Sequence, residues 1–98
     1  MYKVIIPEYI VEDLKEIKEY IFRFTFSEET SSKIVNEILT KILWLKILPF
    51  MFPLYKDNLR VMTIRKKYRV FYEVNDTKKE VTIQFIFGAE QDYDNLIH

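Results

Sequence analysis

The chain has 98 residues, with 15 basic and 15 acidic side chains, one glycine, three prolines and no cysteine. With 49% apolar residues, this composition is typical of a packed globular protein, and we expect a single domain that spans residues 1–98. The lack of cysteine excludes disulfide frameworks and thiolate zinc sites. No apolar run reaches the roughly 20 residues that span a bilayer, and the first residues lack the apolar core of a signal peptide. We therefore expect a soluble cytoplasmic protein.

Positive charge is concentrated in the third quarter of the chain. Residues 41–79 hold ten bases and three acids, whereas residues 1–40 and 80–98 are both net acidic. Half of these bases lie in the segment LRVMTIRKKYRVFYEV: Arg60, Arg65, Lys66, Lys67 and Arg69. Such an excess suits an anionic ligand such as phosphate, although a solvated turn would have the same composition.

The first half of the chain predicts one strand and two helices. YKVII at residues 2–6 is a β-branched run that ends at Pro7. The helix after it has apolar residues at spacings of three and four: Ile10, Leu14, Ile17, Ile21 and Phe24. Ser27 is the expected N-cap of the second helix, whose apolar stripe is Ile34, Ile38, Ile42 and Leu45. The short link between the helices predicts an antiparallel hairpin.

The second half predicts a sheet. Residues 49–58 contain two prolines and are expected to be irregular, and strands are expected at about 59–64, 68–74 and 81–87. The two links between these strands are short enough for antiparallel hairpins. The order β-α-α-β-β-β predicts an α+β fold, in which a small, twisted, antiparallel-rich sheet carries the helix hairpin on one face.

Alternation of side chains separates the two faces of this sheet. One row of residues in the two last strands is expected to meet the helices: Tyr68, Val70, Tyr72, Val74, Val81, Ile83, Phe85 and Phe87. The helix-free face should then carry Arg69, Glu73, Thr82 and Gln84. If Val61 and Thr63 point to the core, that face also carries Arg60, Met62 and Ile64.

Two guanidinium groups, those of Arg60 and Arg69, would then lie on one open surface. Arginine presents a planar fork of donors that pairs with two phosphate oxygens, so this surface suits a phosphodiester. The alternative is a salt bridge between Arg69 and Glu73, its neighbour on the same side of the strand.

Four segments of the sequence also carry a family resemblance. They are YKVIIPEYIVEDLKEIKEYI, LPFMFPLY, YRVFYEVND and VTIQFIFGAEQDYDNLI. In their order and spacing, over nearly the whole chain, they resemble the RelE/ParE superfamily, the toxins of type II toxin–antitoxin systems. The resemblance implies one of two activities. RelE-like members are metal-independent endoribonucleases that cut messenger RNA in the ribosomal A site, whereas ParE-like members poison DNA gyrase.

The first hypothesis is a toxin that inhibits translation as a metal-independent endoribonuclease on ribosome-bound messenger RNA, with no metal and no cofactor. The resemblance assigns Arg69 to the scissile phosphate and Arg60 to further charge neutralisation. In this hypothesis either Tyr93, which corresponds to a C-terminal aromatic residue of the family, or Glu90 serves proton transfer or positioning. The basic turn and its surroundings would bind flanking phosphates through Arg65, Lys66, Lys67 and Gln84.

Two positions favour the alternatives. Glu90 stands where the family commonly has an arginine, and Met62 where a second basic residue is expected. These departures favour a ParE-like inhibitor that binds DNA gyrase without doing chemistry. A degenerate member, either kept only for plasmid or operon stability or already inactive, is the third reading.

Both active classes imply a cognate antitoxin and therefore a toxin–antitoxin hetero-oligomer. We expect the antitoxin to supply an amphipathic helix or strand that covers the apolar residues of ILPFMFPLY and the basic face.

Overall fold

The computed structural model describes residues 1–88 and 96–97. The elements of residues 1–88 are, in chain order, β1 (Lys3–Ile5), α1 (Glu8–Thr25), α2 (Glu28–Leu43), a 3₁₀ turn (Trp44–Lys46), β2 (Leu54–Lys56), β3 (Leu59–Ile64), β4 (Tyr68–Asn75) and β5 (Glu80–Phe87). The α+β fold is therefore confirmed. The short strand β2 was not predicted, since the sequence led us to expect that residues 49–58 would be irregular.

The two helices form where the sequence predicted them. Pro7 precedes α1 in an extended conformation, and Phe26 ends that helix in the left-handed region, with φ of 51°. Ser27 caps α2, since its hydroxyl accepts a 3.0 Å hydrogen bond from the backbone N–H of Thr30. With only two residues between them, α1 and α2 fold back on each other as a helix hairpin.

The five strands form one sheet in the order β1-β5-β4-β3-β2. β1 runs parallel to β5, and the other neighbouring pairs are antiparallel. The first and last strands of the chain are thus neighbours. The helix hairpin therefore returns the chain to the sheet before the three antiparallel strands β3, β4 and β5 are laid down.

Each face of the sheet has its own apolar cluster. On the helix face, which packs against α1 and α2, the main core consists of Ile10, Leu14, Ile17, Ile21, Ile38, Ile42, Leu45, Met62, Ile64, Tyr68, Val70, Tyr72, Val81, Ile83 and Ile86. On the opposite face a smaller cluster is built from Leu59, Phe71 and Phe87, with Tyr55, Val61, Phe85 and Ile97 packed partly against it.

The orientation predicted for β3 is wrong by one residue. Met62 lies opposite Val70 and Ile64 lies opposite Tyr68, and both belong to the main core. Because side chains alternate along a strand, a shift of one residue sends every side chain to the other face. Val61 accordingly packs in the smaller cluster on the opposite face.

The row predicted for β5 is correct only as far as Ile83. A β-bulge follows, since Phe71 lies opposite Phe85 whereas Tyr72 lies opposite Ile83, which leaves Gln84 as the extra residue. Beyond the bulge the alternation is reversed: Ile86 enters the main core, while Phe85 and Phe87 turn to the opposite face.

Candidate functional site

Arg60 lies on the helix face of β3, opposite Tyr72 in β4. Its Nη1 donates a 2.7 Å hydrogen bond to the carbonyl oxygen of Phe52 and a longer one of 3.4 Å to that of Phe50. Its guanidinium also stacks over the ring of Phe50, 5.1 Å from the ring centroid. The charge of Arg60 is therefore directed at the backbone of the segment between the 3₁₀ turn and β2.

Tyr72 holds the same segment from within the core. Its side chain is fully buried, and its hydroxyl donates a 2.8 Å hydrogen bond to the carbonyl oxygen of Pro49. Burial raises the pKa of Tyr72 to about 12, against an opposing effect of the nearby Arg60 charge. The phenol is therefore a neutral donor at physiological pH.

A backbone hydrogen bond from β3 also holds the segment between the 3₁₀ turn and β2. The backbone N–H of Val61 donates to the carbonyl oxygen of Pro53 over 3.0 Å. Four carbonyl groups between residues 49 and 53 thus accept hydrogen bonds from β3 and β4. We call residues 47–53 the clamped loop.

Arg69 has the opposite orientation. It lies between Thr63 of β3 and Phe87 of β5, and its side chain is half-buried on the face opposite the helices. Arg60 and Arg69 therefore point to different sides of the sheet. The expectation that the two guanidinium groups share one surface is wrong, because it depended on the incorrect orientation of β3.

The basic residues between β3 and β4 form a tight turn. The backbone N–H of Lys67 donates to the carbonyl oxygen of Ile64, and both central residues have positive φ, 56° at Arg65 and 61° at Lys66. Positive φ at both central positions is the pattern of a type I′ turn, which usually uses asparagine or glycine there. Arg65 and Lys66 instead adopt this left-handed conformation although both are long side chains with a Cβ atom.

Arg65 is tied to the second helix. Its Nε donates a 2.9 Å hydrogen bond to Oε1 of Glu37, and Lys41 lies 3.6 Å from the other oxygen of this carboxylate. The hydrogen bond from Arg65 holds the pKa of Glu37 below its usual value, with a smaller contribution from Lys41. This ion pair fixes the turn against α2.

The other proposed phosphate ligands have different surroundings. Lys66 and Lys67 are exposed, and within residues 1–88 and 96–97 their ammonium groups have no hydrogen-bond or ion-pair partner. Gln84 is half-buried at the bulge, where its backbone carbonyl oxygen accepts a 2.8 Å hydrogen bond from the hydroxyl of Tyr9. The two lysines are thus available to an external anion at the end of the sheet where Arg69 lies.

Comparison with known proteins identifies the family. The model of the ParE toxin of the type II toxin–antitoxin system, parDE, matches residues 4–93. The chain belongs to the ParE toxin family. The resemblance to RelE/ParE toxins is thereby confirmed, and the chain is the toxin component of a type II toxin–antitoxin system. No curated protein sequence matches it.

Solved structures of toxins have the same fold. A structure of the chromosomal ParDE toxin–antitoxin system from P. aeruginosa is 19% identical to this chain, with a TM-score of 0.76 over 92% of this chain and 98% of the other. The isolated E. coli RelE toxin is 16% identical, with a TM-score of 0.67 over 99% of this chain and 96% of the other.

Two predicted site residues of this ParE-family toxin, Glu90 and Tyr93, lie outside the described residues. Within the described ranges, no group of three or more histidine, aspartate or glutamate side chains could hold a metal ion. No helix in that part of the chain is long and apolar enough to cross a membrane.

A cavity of about 300 Å³ lies where α1 meets the end of β5, and the sequence did not signal it. Its lining includes Asp13, Glu16, Arg23 and Tyr68. Partial burial raises the pKa of Asp13, and the neighbouring Glu16 carboxylate adds to this shift. With carboxylates and a guanidinium on its walls, the cavity has no single charge preference.

The clamped loop and its flanks expose many apolar side chains. Seven large apolar residues here are 46% to 70% exposed: Leu43, Trp44, Ile47, Leu48, Phe50, Met51 and Leu54. We call these seven residues the apolar surface. The segment LPFMFPLY signalled it in the sequence, but the hydrogen bonds from Arg60 and Tyr72 that hold it did not follow from any local pattern.

Proposed function

We propose that this toxin stops growth by binding DNA gyrase and that it does not cleave RNA. The observation that supports this proposal most directly is the orientation of Arg60 and Arg69 on opposite faces of the sheet. Cleavage by attack of the ribose 2′-oxygen, without a metal, needs cations gathered around one phosphate to offset the growing negative charge. Two guanidinium groups on opposite faces do not meet this need.

The cost of reorienting Arg60 also argues against a catalytic role for it. Turning its side chain away would break the 2.7 Å hydrogen bond to the partly buried carbonyl oxygen of Phe52, at a cost of about 0.5–1.5 kcal/mol. Arg65, which was predicted to bind RNA, is engaged in a similar way with Glu37. Both arginines therefore stabilise the fold.

Family membership supports the same proposal. The matching family model is that of ParE toxins, and ParE-like members of the superfamily act on gyrase by binding. Inhibition by binding requires exposed surface and no arrangement of catalytic groups. The exposed apolar side chains of residues 43–54 are suitable for such contacts.

An endoribonuclease is the second candidate, because one group of cations does lie together. Arg69 lies on the opposite face close to the turn that carries Lys66 and Lys67. In this alternative Arg69 binds the scissile phosphate and the two lysines bind flanking phosphates. Gln84 contacts the RNA, and Glu90 and Tyr93 supply proton transfer or base positioning.

Paired assays on one preparation of purified toxin separate the two candidates. The first measures supercoiling of relaxed plasmid by DNA gyrase, and the second maps the ends of messenger RNA on translating ribosomes. We expect inhibited supercoiling and intact RNA. Discrete new RNA ends with normal supercoiling would overturn the proposal, and activity in neither assay would favour the inactive reading.

The substitution Arg69→Ala provides the matched control. If the toxin acts on gyrase, the variant should arrest growth within about twofold of the parent, with the same DNA breaks. If it is a ribonuclease, the loss of the phosphate ligand should cost on the order of 100-fold or more in cleavage rate. Loss of toxicity in a folded Arg69→Ala variant would therefore favour the endoribonuclease.

A further inference from the structure

A groove lies on the helix side of the molecule, where the last turns of α1 meet α2 and the turn between β3 and β4. Its volume is about 410 Å³, which is within the range of small-ligand sites. The residues that line it are Tyr20, Ile21, Phe24, Thr25, Ile34, Lys67 and Tyr68. We call it the helix-side groove.

One wall of the helix-side groove is aromatic and open to solvent. Tyr20 and Phe24 lie one turn apart on α1, with 4.8 Å between their ring centroids, and Phe24 is 70% exposed. Most of the Phe24 side chain is therefore available to a flat ring that stacks on it. Within residues 1–88 and 96–97, the hydroxyl of Tyr20 has no hydrogen-bond partner, so it can bond the polar edge of such a ring.

Another wall supplies positive charge. Lys67 is the one charged side chain among the described residues that line the groove, and Lys66 precedes it in the same tight turn. In the part of the chain that the structure describes, neither ammonium group has a hydrogen-bond or ion-pair partner. The ion pair between Arg65 and Glu37 holds this turn against α2. The backbone that carries the two lysines is thus in place before a ligand binds.

The lining of the groove keeps its positive charge although carboxylates are nearby. Asp13 and Glu16 line the neighbouring cavity, which shares the Tyr20 wall, but they are not part of the groove. The charge of Glu37 is balanced by Arg65. A ligand that complements the groove therefore combines a flat ring with negative charge beside it.

A nucleic acid base and its phosphate have this combination. Proteins that bind single strands use the same two features, aromatic side chains on which bases stack and cations that follow the backbone. The bases of a duplex are stacked on each other, so an unpaired base fits the groove better. Lys66 lies outside the lining, where it can meet the next phosphate of a strand, and a free nucleotide has no such phosphate.

We propose that the helix-side groove binds single-stranded nucleic acid, with an unpaired base stacked on Phe24 and adjacent phosphates bound by Lys66 and Lys67. This site is separate from the opposite face of the sheet, where Arg69 would bind RNA for cleavage. Binding of a strand in the groove requires neither gyrase nor cleavage, so it is independent of the proposed function.

The first experiment measures, by fluorescence anisotropy, the binding of purified toxin to labelled oligo(dT) of about ten nucleotides, a typical length for such sites. We expect this strand to bind at least about tenfold more tightly than its duplex with oligo(dA). Phe24→Ala removes the stacking ring and should weaken binding about tenfold or more. Phe26→Ala is the matched control and should stay within about twofold, because Phe26 is 81% exposed but does not line the groove.

A salt titration of the same binding tests the phosphate contacts. Lys67→Gln should reduce the slope of log affinity against log salt concentration by about 0.7, the value for one phosphate contact on a single strand. Lys3→Gln is the matched control and should keep the parental slope, because Lys3 pairs with Glu80 at the end of the sheet remote from Tyr68. A parental slope in Lys67→Gln would overturn the proposal.

Arg69→Ala distinguishes the groove from the opposite face of the sheet. We expect this variant to bind oligo(dT) within about twofold of the parent. A tenfold loss in Arg69→Ala, with parental binding in Phe24→Ala, would place the strand on the opposite face and overturn the proposal. Equal affinity of the parent for strand and duplex would overturn it as well.

The gyrase assay separates this inference from the proposed function. If the parent does not inhibit supercoiling but Phe24→Ala still weakens strand binding, only the proposed function fails. If the parent inhibits supercoiling but does not bind oligo(dT), only the strand-binding site is wrong.

Discussion

The two faces of the sheet differ in their side chains, and α1 and α2 pack against only one of them. The helix face carries a large and mainly aliphatic core, whereas the opposite face carries a small cluster centred on Phe71. Each face also carries one arginine, and the side chains of Arg60 and Arg69 therefore have different surroundings. On the helix face Arg60 meets backbone carbonyls and becomes part of the fold, while Arg69 lies beside the aromatic cluster. The face that a strand position occupies thus decides which neighbours its cation meets.

The substitution Phe71→Ala should have the largest effect on stability, and it tests whether the cluster on the opposite face is a second core. Phe71 is fully buried and has aromatic contacts with Tyr55, Phe85 and Phe87. We expect Phe71→Ala to lower the free energy of unfolding by about 3–5 kcal/mol, similar to the cost of Ile38→Ala in the main core. Urea unfolding measures both variants. A cost below about 1 kcal/mol for Phe71→Ala would mean that this cluster does not stabilise the fold.

A smaller loss of stability should appear in alkaline solution, and it tests the burial of Tyr72, whose hydroxyl bonds the clamped loop. Burial raises the pKa of Tyr72 to about 12 in the folded chain, whereas it is about 10 when unfolded. The resulting stability is fully present below pH 10 and is lost as the pH rises through 12, by roughly 2–3 kcal/mol.

Tyr72→Phe removes the ionising group and should therefore lack this alkaline loss. At neutral pH it should cost only about 1 kcal/mol, the usual value of one hydrogen bond. Unfolding of parent and variant between pH 7 and pH 12 measures the difference. Parallel curves for the two proteins would show that Tyr72 is not buried as described.

The smallest effect concerns the basic turn and has the opposite sign. Lys66 adopts a left-handed conformation with φ of 61°, which is unfavourable for residues other than glycine, asparagine and aspartate. We expect Lys66→Gly to raise the thermal midpoint, with a gain of about 0.5–1 kcal/mol. Lys67→Gly is the matched control and should lower the midpoint, because Lys67 is not among the residues with positive φ. A lower midpoint in both variants would contradict the turn geometry.

Local patterns predicted the two helices and the positions of β1, β3, β4 and β5 along the chain. The spacing of Ile10, Leu14, Ile17 and Ile21 gave the buried side of α1, although Phe24, the last residue of the predicted stripe, is exposed. Ser27 marked the start of α2. These features depend on neighbours within a few residues, so their physical cause is visible in the sequence.

The faces of β3 and β5 could not be predicted in the same way. Both alternating rows of β3 contain apolar residues, Val61 in one and Met62 in the other, so alternation alone does not distinguish them. In β5 the bulge at Gln84 depends on pairing with β4 and leaves no local signal. The bond between Tyr72 and Pro49 joins residues 23 positions apart. The role of Arg60 depends on these contacts between distant parts of the chain, so it could not be inferred from the strand pattern.

The most direct test of the opposite orientations is a nuclear Overhauser spectrum of the isotopically labelled toxin. We expect cross-peaks from the side chain of Arg60 to the ring protons of Phe50, and from the side chain of Arg69 to that of Thr63. Cross-peaks from Arg60 to the ring of Phe71, with none to Phe50, would place both arginines on one face and contradict it.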